Sequence, residues 1–345
     1  MRKSLRNGLT AAAILFLVSG ALFASGAPEA EAEEAEGPLI VYTYDAFPEA
    51  LETVMVEYFE SDHGVGVDFQ RFADTGGLFN QLYLERQDPR ADVAIGLDTT
   101  YIGRAFRENF FESYRPERAD LLSQELIVDE KFRVTPFDYG GVTLNYDSEA
   151  LENPPESWEE LLDERFRDTV ILMNPNTSSP GRNFLLFTIA EFGEDGYLDF
   201  WRDLEPNVLT VTPGWSEGYG LYSQGEAPIV LSYETSPAYH LAYEETSRYK
   251  PLIFDNEAYW QIEVAGIVRD TPRRELAEAF IEHMLSEEFQ SEIPLNQFMY
   301  PVRDDIELPE AFTAFDRAEE KVELDQDRVA EKMDQWLSDW EDVMR

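Results

Sequence analysis

Two stretches of this chain concentrate side chains able to grip a flat organic cation. Pro213-Gly214-Trp215-Ser216-Glu217-Gly218-Tyr219-Gly220 is followed by Leu231-Ser232-Tyr233-Glu234-Thr235-Ser236-Pro237-Ala238-Tyr239-His240, which puts one Trp, three Tyr, several hydroxyls and two carboxylates within thirty residues. Both lie at predicted strand ends. Ring faces are electron-rich and attract cations, Trp most strongly, while carboxylates add complementary charge. Any one of these rings, taken singly, reads equally well as a core residue near a turn.

Other chemistries compete for the same residues. Gly214-Trp215-Ser216-Glu217-Gly218 matches the G-x-S-x-G nucleophile elbow between a predicted strand and a predicted helix. A serine hydrolase would need a downstream histidine, and only His240 and His283 qualify. His240 leaves little chain after Ser216 for a separate acid, and no HGGG-type oxyanion motif occurs. The alternative use of Ser216 is to cap the following helix. Thr177-Ser178-Ser179-Pro180-Gly181 opens another apolar helix, and free N–H groups at such a start can hold an anion or be capped in the ordinary way. No phosphate-cradling G-x-x-x-x-G-K-[ST] occurs. Metal chemistry is poorly supported, since there is no Cys, there are only three His, and the pair His240 and Glu244 reads as a solvated helix face. Without Cys, a thiol nucleophile, a disulfide and a lipid anchor are excluded.

The elements that must hold these residues follow from periodicity. Strands at Leu39 to Tyr44, Val67 to Phe72 and Asp92 to Leu97 alternate with helical stripes at Leu51 to Phe59 and Leu78 to Leu82. These strands end in Asp45, in Asp74-Thr75-Gly76-Gly77 and in Asp98-Thr99-Thr100, and ligands in open α/β sheets bind at such ends. Asp74, Gly76, Gly77, Asp98 and Ser179 are therefore candidate polar cleft groups. Phe137 to Tyr146 reads as a long extended segment with Gly140-Gly141 as a hinge crossing. Further strands fall at Thr169 to Met173, Val208 to Thr212, Ile229 to Tyr233 and Gln261 to Val268. Thr271-Pro272 reads as a helix start, and Val329, Met333, Trp336, Leu337 and Trp340 stripe a C-terminal helix.

The expected class is α/β in two lobes, each a mainly parallel sheet flanked by helices, since 345 residues exceed one comfortable core. The expected boundaries are 39–140 with 262–345 for the first lobe and 141–261 for the second. Arg2, Lys3 and Arg6, then the apolar run Leu9 to Ala24 and small residues to Ala27, read as an export signal cleaved near Ala24 to Ala27, which places the protein in the periplasm. Residues 28–38, with five glutamates, read as an acidic disordered tether. The net charge of −43 makes nucleic acid and anionic lipid poor partners and reads as a solvated acidic surface.

Val41 to Phe47, Ala91 to Asp98, Pro136 to Gly140, Gly214 to Gly220, Leu231 to His240 and Met299 to Val302 together resemble, in order, the motifs of the periplasmic thiamine-binding receptors of bacterial ABC transporters. The resemblance runs from about Leu39 to the C-terminus. It implies a two-lobed type II periplasmic fold, no enzymatic activity and no cofactor. It also implies a monomer that closes on thiamine or its mono- or diphosphate and delivers it to a membrane permease. Carried onto matching positions, Tyr44, Trp215, Tyr233 and Tyr239 would sandwich the heterocycles and Ser178 would contact the phosphate or hydroxyethyl end. Phe298 stands where the family often has Trp, and the loop after Phe47 lacks another family Trp. A receptor for a polyamine is the alternative on the same fold, ahead of a hydrolase.

Overall fold

The computed structural model describes residues 37–345, so the expected export signal and most of the acidic tether lie outside the described residues. Three strand–helix units open the chain. β1 (Leu39–Tyr44) is followed by α1 (Glu49–Tyr58), which buries Leu51 and Met55, and then by a π-helical turn that Gly64 ends at φ +65°. β2 (Val67–Phe72) leads into α2 (Thr75–Glu85), and β3 (Val93–Asp98) leads into α3 (Thr99–Arg107). β1 pairs parallel with both β2 and β3, so the ends of these strands point the same way.

After the short β4 (Phe111–Glu112), β5 (Thr135–Asp147) runs thirteen residues and is buried almost throughout. A second set of units follows: α4 (Trp158–Leu161), β6 (Val170–Met173), α5 (Ser179–Leu204), β7 (Val208–Thr212), α6 (Trp215–Ser223), β8 (Ile229–Tyr233) and α7 (Pro237–Tyr243). β9 (Tyr249–Leu252) precedes the second long strand, β10 (Glu257–Val268). Then come α8 (Arg274–Met284), α9 (Glu287–Asn296), β11 (Tyr300–Pro301), β12 (Glu320–Val322) and α10 (Gln326–Val343).

One curled sheet collects the strands in the order β2-β1-β3-β10-β5-β8-β6-β7. Its two halves are parallel, and the antiparallel pair β10 and β5 joins them at the centre. Buried apolar side chains form separate clusters on either side of that join. One surrounds Val41, Phe137, Phe280 and Phe289, with Phe79 and Tyr101 on the opposite sheet face. The other surrounds Ile171, Phe184, Trp201 and Leu231.

Three local expectations change. The C-terminal helix α10, expected with the first lobe, packs Val329, Met333, Trp336 and Trp340 into the cluster around Trp201, with Trp340 edge-on to Trp201 at 5.7 Å. Its outer side meets α3, where Arg107 donates to the Ala330 carbonyl, so it straps the two halves together. Gly140 and Gly141 sit in the regular β5–β10 ladder, and an added Cβ would press on Met299 or Ala258, so close packing rather than hinge freedom explains them. Thr271 holds a turn, donating to Asp92 and accepting from the Arg273 amide, and the helix begins only at Arg274. Among the described residues no helix is long and apolar enough to cross a membrane.

Candidate functional site

A cavity of about 430 Å³ opens where the strand ends of the two halves face each other. Tyr44, Asp74, Ser179, Trp215, Tyr233, Tyr239 and Phe298 line it, whereas Asp98, Ser178, Gly76 and Gly77 do not. Its lining also includes Asp45, Ser216, Tyr219, Ser236, Glu263 and Gln297. Every charged side chain on that lining is acidic: Asp45, Asp74 and Glu263.

The aromatic wall is held by specific bonds. Trp215 opens α6, donates its indole Nε1 to Ser232 Oγ at 2.8 Å, and stacks on Tyr219 at 4.8 Å with 18° between the planes. Tyr219 in turn meets His240 Nε2 at 2.9 Å, while His240 Nδ1 meets Glu244 at 2.7 Å and its ring stacks on Tyr249. Burial lowers the His240 pKa, and both ring nitrogens are occupied, so His240 is not a base for Ser216. Ser216 is the second residue of α6; the N-cap is Gly214, so Ser216 does not cap the helix. Tyr233, at the end of β8, accepts from Gln261 Nε2 at 2.9 Å. Tyr239 is 38% exposed and stands edge-on to Phe298 at 5.3 Å. Phe298 has φ +56°, a rare conformation for a bulky residue that must be held in place by its surroundings.

Beneath the rings lies a polar floor. The Tyr44 hydroxyl donates to Glu263 Oε2 at 2.8 Å and accepts from the Gln297 amide. Gln261 Nε2 donates to Glu263 Oε1, and Asn183 Nδ2 donates to Gln261 Oε1, each at 2.9 Å. Gly96 permits the Tyr44 placement, because at φ +103° it carries no Cβ to collide with that ring. Burial, with Asp98 and Asp74 nearby, pushes Glu263 up to about 8.

Asp74 stands where three helices begin. Its Oδ1 accepts from the Thr75 amide at 2.7 Å and the Ser179 amide at 3.5 Å, and its Oδ2 accepts from the Trp215 amide at 3.3 Å. One carboxylate thus serves the first turns of α2, α5 and α6, where free N–H groups favour negative charge. Burial outweighs these bonds and raises its pKa to about 6. A Cβ at Gly214 would lie 2.9 Å from Asp74 Oδ2, and one at Gly76 would lie 2.6 Å from the Thr177 carbonyl. Gly76 is therefore a packing residue that lets α2 approach the 177 loop, and Gly77 follows it inside the same first turn. Ser178 is the N-cap of α5, fully buried, with its Oγ unpartnered. Asp98 lies beneath the floor, accepting from the Thr100 amide at 2.6 Å and from the Ser179 hydroxyl. Among the described residues no group of three or more His, Cys, Asp or Glu is arranged to hold a metal ion.

Residues 88–332 match a family described as bacterial extracellular solute-binding protein. The chain belongs to that family. As a solute-binding protein it is a receptor rather than an enzyme, and its fold is the two-lobed type II periplasmic architecture. It is 36% identical over 332 residues to a thiamine-binding periplasmic protein of Brucella melitensis, covering 95% of this chain and 98% of that one. A thiamine-binding periplasmic protein of Escherichia coli is 34% identical over 308 residues, covering 88% and 92%. A solved periplasmic thiamin binding protein superposes with a TM-score of 0.82 at 34% identity, covering 89% of this solute-binding protein and 96% of its own chain.

Sequence reasoning counted Tyr219 among the rings without giving it a role, and missed Glu263 and Gln297. Tyr219 was legible as a stacking partner one helical turn after Trp215. Glu263 and Gln297 carried no local signal.

Proposed function

We propose that this protein captures thiamine in the periplasm, as a monomer, and hands it to the permease of an ABC transporter. The observation that carries this reading is the cavity itself, with aromatic walls and three acids but no basic side chain on its lining. Thiazolium is a permanent cation, and a desolvated cation over aromatic faces gains about 0.5 to 2 kcal/mol beyond the area buried. The names of the relatives point the same way. In this reading Tyr44, Trp215, Tyr233, Tyr239 and Phe298 hold the rings, and the lobes span 39–140 with 262–325 and 141–261, with α10 packed against the second.

Thiamine phosphates would place their phosphoryl end at the amides of Ser179 and Trp215, which Asp74 engages. Two like-charged groups cannot share those donors, so phosphates bind as Asp74 takes up a proton or swings away. Ser178 stays behind those amides at the N-cap position of α5, off the cavity lining. No cofactor takes part.

Denaturing the purified protein and identifying the released small molecule by mass spectrometry tests the assignment. Thiamine or one of its phosphates is the expected result. Recovery of a polyamine in its place overturns it.

A further inference from the structure

Glu263 in β10 stands directly opposite Asp138 of β5 on one side and Asp98 of β3 on the other. Three carboxyls therefore run in a row across three neighbouring strands. Directly opposed residues share a face, and like charges there repel. Asp98 and Asp138 are 0% exposed and Glu263 is 4% exposed. Among the described residues no Lys, Arg or His forms an ion pair with any of the three.

Their hydrogen bonds are unequal. Asp98 is answered by Thr100 and Ser179, and Glu263 by Tyr44 and Gln261. Asp138 has only weak support: neither buried carboxyl oxygen meets a well-formed hydrogen-bond partner, and the one polar neighbour that helps it is the Gln297 amide, which also donates to Tyr44. The other groups facing the row supply no compensating charge to Glu263 or Asp138. Tyr44 comes from β1, Tyr233 from β8 and Asp74 from the start of α2, while Arg182 of α5 reaches only Asp98 and only through space. An unpartnered ionised carboxylate in such a setting is costly, so the row retains protons. Burial and mutual repulsion accordingly hold Glu263 up to about 8 and Asp138 well above the ordinary carboxyl range.

Of the three, Glu263 alone opens onto the cavity. We propose that Glu263 and Asp138 act as a proton-holding charge sensor: protonated in the empty cleft, the pair releases one proton to solvent when an organic monocation enters, leaving one negative charge beneath it. The O–H bond that breaks is a carboxyl's, its electron pair stays on oxygen, and the bound cation balances the charge. This rests on the thiamine reading for its ligand and adds that capture is proton-coupled. A flat neutral molecule of the same shape draws no such charge from the floor. Release of a proton on binding makes affinity rise with pH, by up to about tenfold per pH unit.

Titration calorimetry of the mature protein with thiamine, in phosphate and in Tris at matched pH, reads the proton count directly. We expect release approaching one proton per thiamine near neutral pH, and an affinity that rises at least about tenfold from pH 6 to pH 8. Glu263→Gln and Asp138→Asn, checked for folding by circular dichroism, should each flatten that profile. If either variant fails to fold, the wild-type buffer comparison still decides. Thiamine binding with identical heats in both buffers and a flat affinity overturns this inference and leaves the thiamine reading standing. No binding heat at any pH overturns both.

Discussion

The cleft has a mouth and a floor built on opposite principles. At the mouth, Trp215, Tyr239 and Phe298 are partly open to solvent, Trp215 stacked on Tyr219 and Tyr239 edge-on to Phe298. At the floor, Tyr44, Glu263 and Asp138 are buried and tied into strands from both halves of the sheet. Ring surface is recoverable, because a flat ligand can replace solvent on it at little structural cost. Buried carboxyls are a standing electrostatic cost, which persists because the floor is held by the two longest strands of the sheet. In the proposed reading the mouth supplies area, and the floor decides which charge is accepted.

The largest test of this division is at the mouth. Trp215→Ala removes the ring that stacks on Tyr219 and faces the cavity, and should weaken thiamine binding by about tenfold or more, since each tenfold is only about 1.4 kcal/mol. Trp215→Phe should recover part of that loss. Wild-type affinity in a folded Trp215→Ala variant would make Trp215 a packing residue and move the ligand elsewhere in the cleft.

The mouth was the part most open to reading from sequence, and the reason is local. Its rings come from two short motifs, and strand ends in an α/β sheet face one crevice wherever the strands run parallel. The floor was hidden because Asp138 and Glu263 are far apart in the chain, and each looks like an ordinary polar residue in its strand. Only the register of β5 against β10 makes them neighbours. Asp74 was placed at the cleft by its strand-end position, yet its hold on the first turns of α5 and α6 depends on how the two halves meet. Ser178 and Ser179 differ by one residue, and the cap position turns the first inward while the second reaches the cavity. The C-terminal stripe gave a helix, but a stripe does not say which core it enters.

A second test separates the floor from the mouth without any ligand. A carboxyl whose folded pKa is raised binds more protons folded than unfolded between its two pKa values, so stability is lost as pH rises through that window. For Glu263 the window runs from 4.5 to about 8, and for Asp74 from 3.8 to about 6. The melting temperature of the empty protein should fall between pH 5 and pH 8 by several degrees, on the order of 4 to 8 °C per kcal/mol for a small domain and less for a chain this long. Self-repulsion of the acidic surface acts in the same direction, so the comparison that isolates the floor is Glu263→Gln, whose melting temperature should fall less over the same range. Equal slopes for the two proteins would remove Glu263 from the account.

The smallest expected effect sharpens the mouth. Phe298 meets Tyr239 and Tyr243 edge-on at 5.3 and 6.0 Å and is held at φ +56°, so its ring is aimed by the backbone rather than by side-chain bonds. An indole in the same place offers a stronger quadrupole to a cation, worth some fraction of the roughly 0.5 to 2 kcal/mol of such contacts. Phe298→Trp should therefore bind thiamine about two- to fivefold more tightly, within the gain that one better ring can supply. Phe298→Leu should bind more weakly, because it keeps apolar volume and loses the ring face. Calorimetry on the three proteins at one pH reads the order directly. If leucine and phenylalanine bind alike, the side chain at 298 contributes only bulk, and recognition of the cation belongs to Trp215 and the floor.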